Sequence, residues 1–142
     1  MNSAIYHNPK CSTSRFVLEI MQLAGETPEI VLYQQVGWTE DLLRTLLTDA
    51  KLSARDILRT RNTPAKELGL MDPATPDSEI LRAMVADPML VERPIVRTSK
   101  GVVLCRPKEV IFSVLNDQSP RTLMTTKGES FQIPRDEILE QS

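Results

Sequence analysis

"AIYHNPKCSTSRFVLEIMQLAG", residues 4–25, is the stretch on which the fold turns. "AIYH" (4–7) is a short apolar run that stops at the turn pair Asn8-Pro9, the pattern of a brief strand. Behind Cys11, the apolar residues Phe16, Val17, Ile20, Leu23 and Ala24 recur at helical spacing, and Gly25 follows as a stop. "PEIVLY" (28–33) then reads as a second strand. A strand, a helix and a strand in so short a span require a right-handed crossover and parallel pairing. Cys11 falls where the first strand hands over to the helix.

Working outward, Thr39 reads as an N-cap, with Glu40 and Asp41 in the first turn and Leu42, Leu43, Leu46 and Leu47 on one face. Ser53 and Asp56 fit a capping pattern for another short helix. Thr63-Pro64 and Thr75-Pro76 are cap-then-proline starts. The first predicts a short helix ending near Gly69. The second predicts one over "DSEILRAMVAD", with Ile80, Leu81, Met84 and Val85 on one face. "PIVRTSKGVVLC" (94–105) is a hairpin of two strands around Ser99-Lys100-Gly101. Pro107 opens a helix carrying Val110, Ile111, Val114 and Leu115. Beyond Leu115 no period is sustained through residue 130, and "FQIPRDEILEQS" leaves a short docked element undecided. The order β-α-β, several helices, β-β-α predicts an α/β fold. Its sheet is four-stranded and mixed, with a helical insertion between strands two and three. The predicted division is a domain over 1–117 and a loosely ordered C-terminal tail over 118–142.

The chain has 142 residues, 41% of them apolar, enough to bury a core without disulfide staples. A net charge of −2 and only 4% aromatic residues give neither a nucleic-acid footprint nor stacking platforms for single strands. No apolar run of about 18 residues exists to span a bilayer. "MNSAIYHNPK" lacks the basic start and apolar stretch of a secretory leader. The expectation is a cytoplasmic protein without nucleic-acid or membrane partners, whose two cysteines stay reduced or do chemistry.

At the start of a helix the first N–H groups have no intrahelical partner and the dipole is positive, so a thiolate is favoured over a thiol there. Helix N-termini and nearby cations bring a cysteine pKa down to about 3.5–7.5. The same N–H groups, here those of Ser12, Thr13 and Ser14, make a cradle for an oxyanion. The alternative reading of Cys11 as a small buried hydrophobe suits this polar loop poorly. The motif is C-x-x-S, so no thiol at position 14 can close a local disulfide. A second thiol must come from Cys105 or from outside. One histidine and two cysteines leave a tetrahedral zinc site short of ligands, so no metal is expected. A Cys-His-Asp triad lacks an orienting acid, and the phosphatase loop C-x5-R is absent, since the following arginine is Arg15.

"ILRTRN" (57–62), "ERPIV" (92–96) and "LCRP" (104–107) each set an arginine at the end of an element. Guanidinium groups hold oxyanions through bidentate, charge-assisted hydrogen bonds. If the hairpin lies beside the first strand, Arg93 and Arg106 reach the cysteine loop.

"IYHNPKCSTSR", "ERPIV" and "LCRP", with "KELGL" (66–70), closely resemble the glutaredoxin-dependent arsenate reductases, the ArsC family, from about Ala4 to Leu115. The resemblance implies a thioredoxin-like fold with a helical insertion and Cys11 as the nucleophile, with His7 close to it. It implies Arg59, Arg93 and Arg106 as the oxyanion-binding arginines. Arg61 is a nearby rival to Arg59, but the distance to "ELGL" favours Arg59. Pro94 matches a proline that is cis in such folds. Arsenate is implied as substrate, glutathione as co-substrate, glutaredoxin as protein partner, and no bound cofactor. Ser12, Thr13, Ser14 and Arg15 are the expected substrate-binding loop. The chain departs from many relatives in having Ser12 for Gly and Lys10 for Ala.

His7 reads in two ways, as an imidazolium that holds the thiolate or as a strand-end histidine without a role; the first is favoured. Cys105, in the apolar run "GVVLC", reads as packing rather than as a second redox thiol. Two other functions stay open. One is a glutathione-linked thiol-disulfide oxidoreductase without an oxyanion site. The other is a redox regulator like the Spx group, against which Ser14 argues.

Overall fold

The computed structural model describes residues 3–115, 122–125 and 128–132. Its four-stranded sheet has the order β2-β1-β3-β4, with β1 at Ala4–Tyr6, β2 at Glu29–Val31, β3 at Ile95–Thr98 and β4 at Gly101–Leu104. β1 runs parallel to β2, with Ile5 opposite Ile30, and antiparallel to β3, with Ile5 opposite Val96. Helix α1 (Ser12–Leu23) is the crossover. Between β2 and β3 lie α2 (Tyr33–Val36), α3 (Glu40–Ala50), a 3-10 turn at Ala54–Ile57, α4 (Asp77–Ala86) and a second 3-10 turn at Pro88–Leu90. This is the expected mixed sheet with a helical insertion.

The alternation of β1 builds two cores, because successive side chains leave a strand on opposite faces. Ala4 and Tyr6 pack against Trp38, Leu43, Ile80, Met84 and Leu90 of the insertion. Ile5 packs the other way, against Val17, Ile20, Met21, Val96 and Ile111. Each fully buried aliphatic side chain contributes about 1.5–3 kcal/mol from the area it removes from water. The predicted caps are present. Thr39 Oγ1 accepts from Leu42 N–H at 3.1 Å. Ser53 and Asp56 form a reciprocal capping box. Gly25 takes φ +88°, which a side chain would strain, and ends α1.

Some expectations shift. The buried stripe of α1 is Val17, Ile20, Met21 and Ala24, while Leu23 stands 39% exposed, because helical geometry puts it off that stripe. Val85 of α4 is exposed for the same reason. Tyr33 does not finish β2 but starts α2. The segment after Thr63-Pro64 is a run of turns rather than a helix: Leu68 N–H bonds to Pro64 O and Leu70 N–H to Ala65 O. Gly69, at φ +76°, closes it after one turn. The segment after Pro107 is a 3-10 helix over Lys108–Val114. Where the sequence showed no period, β5 (Thr122–Met124) and β6 (Ser130–Gln132) pair as an antiparallel ribbon. The predicted boundary at residue 117 and the undecided segment beyond Gln132 lie outside the described residues. Among the described residues no helix is long and apolar enough to cross a membrane.

Candidate active site

The sheet gathers the site at one edge. β1 and β2 are parallel and end together, and His7 N–H donates to Val31 O at 2.8 Å. β3 starts where β1 ends, with Ile95 opposite both Tyr6 and Leu104. The loop after β1, the residue before cis-Pro94 and the loop after β4 therefore share that edge. They carry Cys11, Arg93 and Arg106.

Cys11 is the N-cap of α1, with extended backbone (φ −97°, ψ 122°), and it is partly exposed. Its carbonyl accepts from Arg15 N–H at 3.0 Å, which starts the helix. Helix geometry leaves the N–H groups of Ser12, Thr13 and Ser14 without intrahelical acceptors. Burial by itself opposes ionisation of the Cys11 thiol. The Ser14 backbone N–H, a hydrogen bond and the charge from Arg93, and the charge of Arg106 outweigh it, and the pKa falls below the ordinary value. Arg106 Nη2 lies 3.5 Å from Cys11 Sγ, and its Nε donates to Arg93 O at 2.8 Å, which fixes the guanidinium.

Arg93 is only 8% exposed, and its Nε and Nη1 are buried without a hydrogen-bond partner among the described residues. Buried donors of a charged group are costly to leave unpaired, and these two nitrogens can serve an acceptor brought from outside. Arg59 reaches the neighbourhood through pairing inside the insertion. Arg59 N–H donates to Leu90 O and Glu92 N–H to Ile57 O, both at 2.7 Å, around a bridge between Leu58 and Val91. The Arg59 side chain then pairs with Glu92 at 2.8 Å. Arg61, the rival, is exposed.

The structure places His7 differently from the favoured expectation. The ring is buried, its Nδ1 lies 2.6 Å from Ser14 Oγ, and burial and the charge of Arg15 hold its pKa below the usual histidine value. Ser14 Oγ also accepts from Asn8 N–H at 3.1 Å, so this hydroxyl ties the His7 ring to the turn before Cys11. That is a neutral imidazole ordering the loop, not an imidazolium on the sulfur. Ser14 is thus a fully buried hub, and its backbone N–H acts on the sulfur.

Arg15 is exposed, with Nη1 donating to Pro9 O at 2.8 Å. Ser12, Thr13 and Arg15 line, with Phe16, Glu19, Lys108 and Glu129, a groove of about 320 Å³ beside α1. Cys105 is fully buried in the second core, where burial pushes its thiol up to about 12. It takes the packing role read for it. Sequence reasoning missed Glu92 and Asn8. Glu92 sits in the quoted "ERPIV", and its opposite charge was a signal.

A family model described as the ArsC family matches residues 6–114. The arsenate reductase ArsI2 of Synechocystis sp. is 49% identical over 112 residues, 79% of this chain and 80% of that one. The arsenate reductase of Escherichia coli K12 is 39% identical over 128 residues, covering 90% and 91%. Among solved structures, the arsenate reductase from Vibrio cholerae superposes with a TM-score of 0.76 at 34% identity, over 81% of this chain and 98% of that one.

Proposed function

The chain belongs to the ArsC family, and we propose that it reduces arsenate to arsenite through a covalent adduct on Cys11, with glutathione and glutaredoxin as electron donors. One observation carries this reading: a cysteine with lowered pKa at a helix N-terminus, set beside Arg106 and an Arg93 guanidinium with unpaired buried donors. The relatives named arsenate reductases support the oxyanion.

Arsenate docks on the N–H groups at the start of α1 and on Arg93 and Arg106, with Arg59 adding charge from beside Glu92. The Cys11 thiolate attacks arsenic; an S–As bond forms, an As–O bond breaks, and the oxygen leaves as water after protonation. Arsenic is still pentavalent at this point. The arginines offset the charge that builds on the remaining oxygens. Glutathione then joins the adduct, for which the groove beside Ser12 leaves room. Oxidation of the two thiols to a Cys11–glutathione disulfide delivers two electrons, and trivalent arsenic departs as arsenite. A glutaredoxin thiolate takes the glutathione and frees Cys11. With Ser14 buried in the His7 contact, the loop offers no second thiol of its own.

The test is arsenate reduction coupled to glutathione and glutaredoxin, in wild type and Cys11→Ser. Wild type is expected to turn over, and the variant to fall to background. Equal rates would remove the mechanism. A wild type that reduces disulfides but not arsenate would replace it with the oxidoreductase reading.

A further inference from the structure

Tyr33 has no part in the donor set described so far, yet the fold sets it at the same edge. Leu32 alone separates it from β2, and β2 ends beside the end of β1, so it stands next to the loop that leads to Cys11. Its ring is clamped against Trp38, with centroids 5.3 Å apart and planes at 27°, and the residue is 1% exposed. The hydroxyl is buried and has no hydrogen-bond partner among the described residues. The Asn8 side chain is near enough to lower its pKa as a donor to the phenol oxygen would, which uses none of the phenolic hydrogen, and the charged groups that act on it are Arg93, Cys11 and Arg59.

A buried phenol without a partner is destabilising. Here it keeps company with two more orphaned donors, Nε and Nη1 of Arg93. Three buried donor atoms without a partner among the described residues, on two residues that each interact with Cys11, suit an acceptor with several oxygens. We propose that the Tyr33 hydroxyl donates a hydrogen bond to an oxygen of the oxyanion bound between Cys11 and Arg93. This rests on the reading of the site as an oxyanion site. Burial keeps the hydroxyl protonated, since it raises the Tyr33 pKa and outweighs the arginines that lower it. A neutral donor among guanidinium groups favours an oxyanion with acceptor lone pairs without adding charge.

Tyr33→Phe removes the hydroxyl and keeps the ring on Trp38. The readout is protection of Cys11 from iodoacetamide by inorganic phosphate and, separately, by arsenate, with no reductant present. The half-protecting concentration is expected to rise about tenfold in the variant, the effect of losing one hydrogen bond to an anion. The melting temperature is expected to stay level or rise, because an unpaired buried hydroxyl is lost. Equal half-protecting concentrations would overturn the assignment, and so would a fall in melting temperature, which would mean that the hydroxyl has a partner within the protein. If neither anion protects wild type, the oxyanion reading of the whole site fails and this assignment with it. Protection of wild type with no change in the variant removes the Tyr33 assignment alone.

Discussion

Cys11 and Cys105 are the same residue type held in two environments, and they differ in every property that matters to a thiol. Cys11 caps a helix in a polar loop, with two guanidinium groups and a backbone N–H drawing its pKa down. Cys105 lies among Ile5, Val17, Ile20 and Val96, with burial driving its pKa up to about 12. The contrast is sharpest at the junction after β4. Cys105 turns into the core, and its neighbour Arg106 turns out to the sulfur of Cys11. Reactivity here belongs to the site and not to the residue.

The contrast is tested most severely by alkylating the native protein across a pH series. Cys11 is expected to react with a midpoint below that of a free cysteine, because its lowered pKa leaves thiolate present at lower pH. Cys105 is expected to react at least about a thousandfold more slowly near neutral pH and to become labile only on unfolding. Comparable rates at the two positions would abolish the distinction.

Arg93→Ala is expected to come next in size. The proposed arsenate turnover should fall about a hundredfold, as for loss of one aligned oxyanion donor. In the same variant the Cys11 alkylation midpoint should move up, since a hydrogen bond and a positive charge on the thiolate are gone. An unchanged midpoint would mean that the helix start and Arg106 set the sulfur without Arg93, and that arginine would drop out of the contrast.

The smallest effect concerns His7, which sits in the reactive loop but shares the buried, neutral condition of Cys105. It is the only histidine, so its ring signals can be followed by NMR without ambiguity. A midpoint below the ordinary 6.5 is expected. The sign for stability follows. The folded protein resists protonation that the unfolded chain accepts, so the contribution of neutral His7 is complete above 6.5 and is lost as pH falls below that value. A midpoint above 6.5 would restore the imidazolium as a partner of the thiolate.

Periodicity and punctuation were sufficient for the framework. The alternation through "AIYH", the stripe behind Cys11 and the Ser99-Lys100-Gly101 turn specify local geometry through short-range sterics and backbone bonding, which the chain carries at each position. Cys11 was legible because a helix N-terminus is a local feature. The lengths of β2 and of the Pro64 turn were not, because tertiary packing overrides weak propensities over three or four residues.

What the sequence by itself determined is the order of elements and the chemical character of the cysteine loop. Arg93 and Arg106 were legible as candidates from their places at the hairpin ends, and Arg59 through family likeness. Tertiary structure alone decided that Arg59 is tethered to Glu92, that His7 turns to Ser14, and that the hydroxyl of Tyr33 has no hydrogen-bond partner among the described residues. The reason is physical: a side chain's direction, charge state and hydrogen bonding depend on groups far away in the chain, and only the closed sheet brings those groups within reach.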